Sequence, residues 1–299
     1  MFLRRNILQY LVILCVTVLL LSLAGQQPAA RVSAQDKEDN DRAIVADDFL
    51  KNRPGKLKSG PKRSPATYRR VTAANRQTGR RKLQVGVTIW KFEPGSTATT
   101  SGERSVTGSY WNKADWIPKR VEADIKFRQG DALRISIESP RDGYLYVVNR
   151  DLLADGTFGE TNLIFPTQGE DNRLKAGKLI DLPSPDDPPF KATPKPGQAS
   201  ELLTVIVTSS PLQLQLGPTP IPISTKQLGE WVERWGGETD RLEMNGGAGQ
   251  VRTLAEQLAA SAMDARQLTR DDPMPQTIYS LTPKNMDGLL FNLQLSYVR

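Results

Sequence analysis

Apolar residues recur at every second position in three stretches of this chain. In LQVGVTIWKF they are Leu83, Val85, Val87 and Ile89; in ALRISIES, Leu133, Ile135 and Ile137. In LLFNLQLSYV they are Leu289, Phe291, Leu293, Leu295 and Tyr297. A two-residue period places such side chains on one face of a β-strand and leaves the other face polar. GYLYVVN and ELLTVIVTS are apolar on both faces, as central strands are. RVEADIKF, NLIFP and KLIDLP are shorter extended candidates. Gly, Pro, Asp and Asn clusters separate these runs at short spacing. That pattern favours an antiparallel sandwich over a βαβ fold, so the expected class is mainly β. The proline-dense PSPDDPPFKATPKPGQ should cross the surface as a stiff loop, because proline cannot donate to a strand ladder.

Two segments break the period. In TKQLGEWVERWGG, Leu228, Trp231, Val232 and Trp235 fall at i, i+3, i+4 and i+7, with Gly236 and Gly237 as the stop. In GQVRTLAEQLAASAMDARQL the stripe is Val251, Leu254, Ala255, Leu258, Ala259 and Ala262. Both helices are expected to pack against the sandwich or each other. They form a short helical insertion, about 225–268, ahead of final strands at 276–299.

The N-terminus is read as an export segment rather than part of the fold. Arg4 and Arg5 precede an apolar run from Ile7 to Ala24, followed by small residues at Val32–Ala34. Residues 1–34 thus form a signal peptide or an uncleaved membrane anchor, since a helix over that run nearly crosses a bilayer. Residues 35–82 read as a disordered linker, acidic and then basic, with the sandwich domain over 83–299. Residues 51–82 hold twelve Lys or Arg and no Asp or Glu. The formal net charge is +7, so the remainder of the chain carries −5. A segment this basic and poor in large apolar residues cannot bury enough surface to fold alone. It is either a solvated spacer or, from Lys51 to Lys82, an electrostatic contact with anionic lipid or polysaccharide. Export argues against nucleic acid as the partner.

The chain has no histidine, and its single cysteine, Cys15, lies inside the export segment. Ser-His-Asp and Cys-His nucleophile arrangements cannot be built. Zinc and copper sites of N/S type are nearly excluded. No cofactor is expected, and the domain must stand on its apolar core without disulfides. Neither a phosphate-binding glycine loop nor a repeat is present; GGAGQVR lacks the required Lys-Ser/Thr ending.

The segment from KADWIPKRVEADIKFRQGDALRISIES through DGYLYVVN and LIFP to the AGK turn, LIDLP and ELLTVIVTSSPL resembles the bacterial family called domain of unknown function 4384, over about residues 113–212. The pair Gly130-Asp131, the strand Asp142–Asn149 and the run Leu163–Pro166 carry the likeness. The resemblance implies an immunoglobulin-like β-sandwich module of exported or envelope proteins, with no settled activity.

Three constellations qualify as sites. Asp151, Asp155 and Glu160 are calcium candidates, although Leu153 and Asn162 break the EF-hand spacing and a turn at Asp155-Gly156 explains the stretch equally. Asp142, Asp151, Asp155 and Glu160 could serve a carboxylate-dependent glycan enzyme, but Arg141 and Arg150 beside them suit surface pairing. Tyr110, Trp111 and Trp116 in GSYWNKADW could stack on a ligand, with Arg141 and Arg150 as further contacts. The expected function is a non-catalytic binding module of the envelope, in the periplasm or at the cell surface. Its partner is an unidentified envelope protein or cell-surface polysaccharide.

Overall fold

The structure, a computed structural model, describes residues 45–55, 68–70, 82–95, 116–261 and 266–298. The export segment, Tyr110 and Trp111 lie outside the described residues. All described residues fall in one compact unit, Arg42–Arg299. Among them, no helix is long and apolar enough to cross a membrane.

Two sheets form the expected β-sandwich. The first contains β2 (Leu83–Pro94), β3 (Trp116–Val121), β5 (Ala132–Glu138), β9 (Leu179–Leu182), β13 (Gly237–Met244) and β14 (Thr277–Pro283). Short β1 (Tyr68–Arg70) and β10 (Phe190–Lys191) lie at its ends, in the order β1-β13-β14-β2-β5-β10. The second contains β6 (Gly143–Leu153), β7 (Phe158–Phe165), β11 (Gln198–Thr208) and β15 (Gly288–Tyr297). Its path is β12-β7-β6-β11-β15-β4, with β12 at Ile221–Pro222 and β4 at Lys126–Phe127, and short β8 (Arg173–Leu174) pairs with β6 off this path. Pairing is antiparallel except between β15 and β4.

The inter-sheet core is the set of inward positions that the two-residue period marks. Val85, Val87, Ile89, Ile135 and Ile137 of one sheet meet Leu145, Val147, Val205, Phe291 and Leu293 of the other. Tyr279 stacks on Phe291 with ring centroids 4.2 Å apart.

The outer face of the second sheet is covered by α1 (Thr225–Trp235). Leu228, Trp231 and Trp235 bury against Tyr146, Val148, Ile206 and Leu290. Ser224 caps the helix by accepting from the Gln227 N–H. Val232 does not join this stripe; it stays 44% exposed, because the sheet meets a narrower face of the helix than the spacing allows. The second helix is also shorter than expected. Thr253 and Glu256 form a capping box that starts α2 at Leu254, and it ends at Ala259. Val251 and Leu254 are exposed, whereas Glu256 points inward. Between the helices, GETDRLEM forms β13 and pairs along β14. Its charged composition conceals a strand that buries only Asp240, Leu242 and Glu243.

The outer face of the first sheet departs furthest from expectation. The alternation in β5 predicts a solvated polar face, yet all seven residues are buried. Their cover includes residues 45–55, which composition assigned to the linker. Residues 45–51 are helical, and Phe49 is fully buried with Leu242 and Ile278. This strap passes so close to β2 that a Cβ on Gly86 would lie 2.8 Å from the Phe49 ring and 2.6 Å from Pro275. Arg53 then reaches Glu138 at 2.6 and 2.7 Å and donates to the carbonyls of Thr269, Asp272 and Pro273. The strap folds because tertiary contacts supply the apolar surface that its own sequence lacks. The basic stretch is therefore tied down in part: Arg53 is buried, Lys51 pairs with Asp48, and Lys82 pairs with Asp240.

A partly broken buried ion pair leaves an uncompensated charge, which costs about 3–5 kcal/mol. Arg53→Ala should lower the urea midpoint by that equivalent and expose residues 45–55 to limited proteolysis. Lys51→Ala, whose pair with Asp48 is solvent-exposed, should leave the midpoint unchanged.

Candidate functional site

The inward positions of the second sheet change character toward one end. Along β6 they run Leu145, Val147, Asn149, Asp151; along β11 they run Val207, Val205, Leu203, Glu201. Asn149 pairs with Leu203 and Asp151 with Glu201, so the polar residues lie side by side across the two strands. On β15 the last inward residue is Tyr297. This polar end forms one mouth of the sandwich.

A cavity of about 260 Å³ opens there. Leu133, Ala192, Leu203 and Leu295 supply its apolar wall, and Phe190 and Lys191 reach it from the opposing sheet. The polar groups are Asn149, Lys191, Glu201 and the Tyr297 hydroxyl, which donates to a Glu201 oxygen at 2.8 Å. Burial pushes the Tyr297 phenol above its ordinary value, and the Glu201 hydrogen bond and the nearby carboxylates add to that rise. The Asn149 Oδ1 atom is buried with no hydrogen-bond partner. Buried polar atoms in native structures are nearly always paired, and this one is an exception, closed off beside the cavity rather than open to it.

The residues singled out from the sequence do not gather at this site. Trp116 is not in a loop: it opens β3 and packs half-buried against Trp90, Phe92 and Ala132 on the first sheet. Arg150 faces the outside of the second sheet with its guanidinium 4.0 Å over the Phe158 ring. Burial lowers its pKa. Arg141 is exposed before the start of β6. Eight residues from Asn149 at ~3.3 Å each, it lies roughly 25 Å away along the strand.

The calcium candidates are likewise occupied elsewhere. Asp151 accepts from Lys195 at 2.7 Å and from Gln198 at 2.8 Å. Asp155 accepts from the Thr157 amide at 2.9 Å and its hydroxyl at 2.7 Å, which pulls its carboxyl below the ordinary range. Gly156 follows at φ 85°, so Asp-Gly makes the turn that its chemistry favours. Glu160 is exposed on β7. No group of three metal-ligating side chains occurs among the described residues.

Asn149, Phe190, Lys191 and Glu201 escaped sequence reasoning. For Asn149 and Glu201 the signal lies in the continued period, where apolar inward positions turn polar before the strand ends; Phe190 and Lys191, on a two-residue strand, carry no such signal.

Residues 126–211 match the model of a family described as Domain of unknown function (DUF4384). The match spans less than a third of the chain. It contains eight of the cavity's eleven lining residues, all but Pro220, Leu295 and Tyr297. Fold and site together define a β-sandwich protein with a ligand-sized opening between its sheets. No curated protein and no solved structure matches the chain.

The raised Tyr297 phenol has a defined pH consequence. The folded state holds this proton more tightly than the unfolded state, whose tyrosines ionise near pH 10. The associated stability is fully present below about pH 10 and is lost as pH rises further. Ultraviolet titration should show Tyr297 ionising after the exposed tyrosines. Tyr297→Phe should remove one late-ionising phenol; an unchanged late phase would show that the Glu201 contact does not form.

Proposed function

We propose that this protein is an exported, non-catalytic binding module of the bacterial envelope, engaging its ligand at the mouth cavity. The carrying observation is the mouth cavity of about 260 Å³, where Asn149, Lys191, Glu201 and Tyr297 set polar groups beside an apolar wall. The apolar export run supports delivery outside the cytoplasm. The partner is an envelope protein or a cell-surface polysaccharide. The basic stretch that leaves the strap and returns to β2 by way of β1 would serve as a contact with anionic lipid, since both its ends are held on the sandwich.

An enzymatic role draws little support from the carboxylates. Asp151 is bound to Lys195 and Gln198, and Asp155 serves its turn. The absence of histidine from the chain removes the most common general base.

Ala192 is buried in the cavity wall, so Ala192→Trp should fill the opening. The variant is expected to lose co-sedimentation with isolated envelope fractions while keeping its β-type circular dichroism and a cooperative thermal transition. Retention equal to wild type in a folded variant would overturn the reading.

A further inference from the structure

The geometry points to a lysine side chain of the envelope-protein partner as the occupant of the mouth cavity, with its ammonium at Glu201 and its alkyl stem on the apolar wall. The inference rests on the binding reading above and assigns the chemistry of that same site. Glu201 faces inward on β11, and one of its oxygens accepts from the Tyr297 hydroxyl at 2.8 Å. Its other oxygen has no hydrogen bond among the described residues and is open to solvent. Lys195, whose charge acts on Glu201 from nearby, is itself held by Asp151 at 2.7 Å. The cavity thus presents a carboxylate without a counter-ion, and a half-buried carboxylate attracts a cation more strongly than one in open water. Lys191 does not supply that cation. It pairs with Ala132, which packs on the outer face with Trp90 and Phe92, whereas Phe190 pairs with the inward Leu133. Residues directly opposite across antiparallel strands share a face, so the Lys191 side chain points to the outer face and its backbone lines the cavity.

The wall selects the kind of cation. Leu295 lies directly across from Glu201, Leu203 follows Glu201 on the inward face, and Ile164 completes the apolar surface. That arrangement matches a methylene stem ahead of a charged tip. With one carboxylate oxygen taken by Tyr297, a guanidinium cannot bind through its two-bond fork, whereas a compact ammonium needs a single oxygen. Phe190, 40% exposed beside the cavity, offers its ring to the same charge. The opening of about 260 Å³ admits one side chain and not a folded segment, so the lysine must protrude from its protein.

The test titrates the full chain in detergent by ligand-observed NMR. The probes are Nα-acetyl-lysine methylamide, its Nε-acetylated form and the arginine counterpart. The lysine probe should bind, and the other two should bind more weakly, the acetylated one by at least about tenfold, the factor that one charge-assisted hydrogen bond supplies. Glu201→Gln, which keeps an acceptor for Tyr297, should weaken the lysine probe by about the same factor while the thermal transition stays cooperative. Lys191→Met should leave its affinity unchanged. Equal affinity for either other probe, binding indifferent to Glu201→Gln, or a gain in affinity on Lys191→Met overturns the assignment. Acetylating the lysines of isolated envelope fractions should abolish retention of the wild-type chain. Retention that survives acetylation but not periodate oxidation makes the partner a polysaccharide and overturns the lysine inference alone. If no probe binds while Ala192→Trp still abolishes envelope retention, the cavity takes another ligand and again only this inference fails. If Ala192→Trp leaves retention intact as well, the cavity is not the binding site and both readings fail.

Discussion

Arg252 donates to both oxygens of Asp181, at 2.7 and 3.1 Å, and much of the molecule is arranged around that contact. Asp181 also accepts from the Ser136 hydroxyl at 2.6 Å, and Ser136 in turn accepts from the Trp90 indole N–H at 2.8 Å. Three strands, β2, β5 and β9, are thereby joined to Arg252, two residues before the start of α2. Arg252 and Arg120 both place their guanidinium groups over the Trp90 ring, at 5.4 and 5.3 Å. Arg120 pairs with Glu256 of α2 and donates to the Met274 carbonyl at 2.6 Å. Removing one member strands the others as buried, unpaired charge.

This ionic layer explains why the two outer faces are built differently. The second sheet is covered by apolar contact, with Trp231 and Trp235 on Tyr146 and Ile206. The first sheet is covered by pieces distant in sequence: the strap, α2 and the segment through Pro275. Desolvation offsets much of the attraction within each buried pair, so their main contribution is geometry. A guanidinium accepts few arrangements around a carboxylate, and each arginine here also binds backbone carbonyls. The Gly177 carbonyl completes the attachment by accepting from the Leu268 amide at 2.6 Å. Gly177 has φ 79°, and a Cβ there would lie 2.5 Å from the Leu268 carbonyl oxygen. With both outer faces closed, the polar mouth beside Asn149 and Glu201 stands out as an opening between the sheets.

The sandwich was legible because its signal is local. Val85, Val87 and Ile89, like Leu289, Phe291 and Leu293, announce their face through the two-residue period alone. The turn at Asp155-Gly156 was legible for the same reason, since backbone angles and side-chain capping act within a few residues. α1 was legible in its stripe, and Val232 failed only because the width of the contact depends on the facing sheet. Trp116 was misplaced because composition cannot distinguish a loop aromatic from one at a strand start. The candidate site was mostly illegible: Phe190 and Lys191 approach Asn149 and Glu201 only after the sheets stack.

The sequence by itself determined that the protein is mainly β, that no histidine or disulfide chemistry is open to its folded part, and which side chains enter the inter-sheet core. Those properties follow from residue inventory and nearest-neighbour backbone geometry. Only the tertiary structure decided that Arg134, Ser136 and Glu138 are buried, that residues 45–55 belong to the fold, and that Asn149 faces a cavity. Each depends on a partner far along the chain: Glu138 meets Arg53 across 85 residues, and Ser136 shares Asp181 with Arg252. A polar residue in a strand carries the same local signature whether it faces water or a buried counter-charge, and the fold alone supplies that counter-charge.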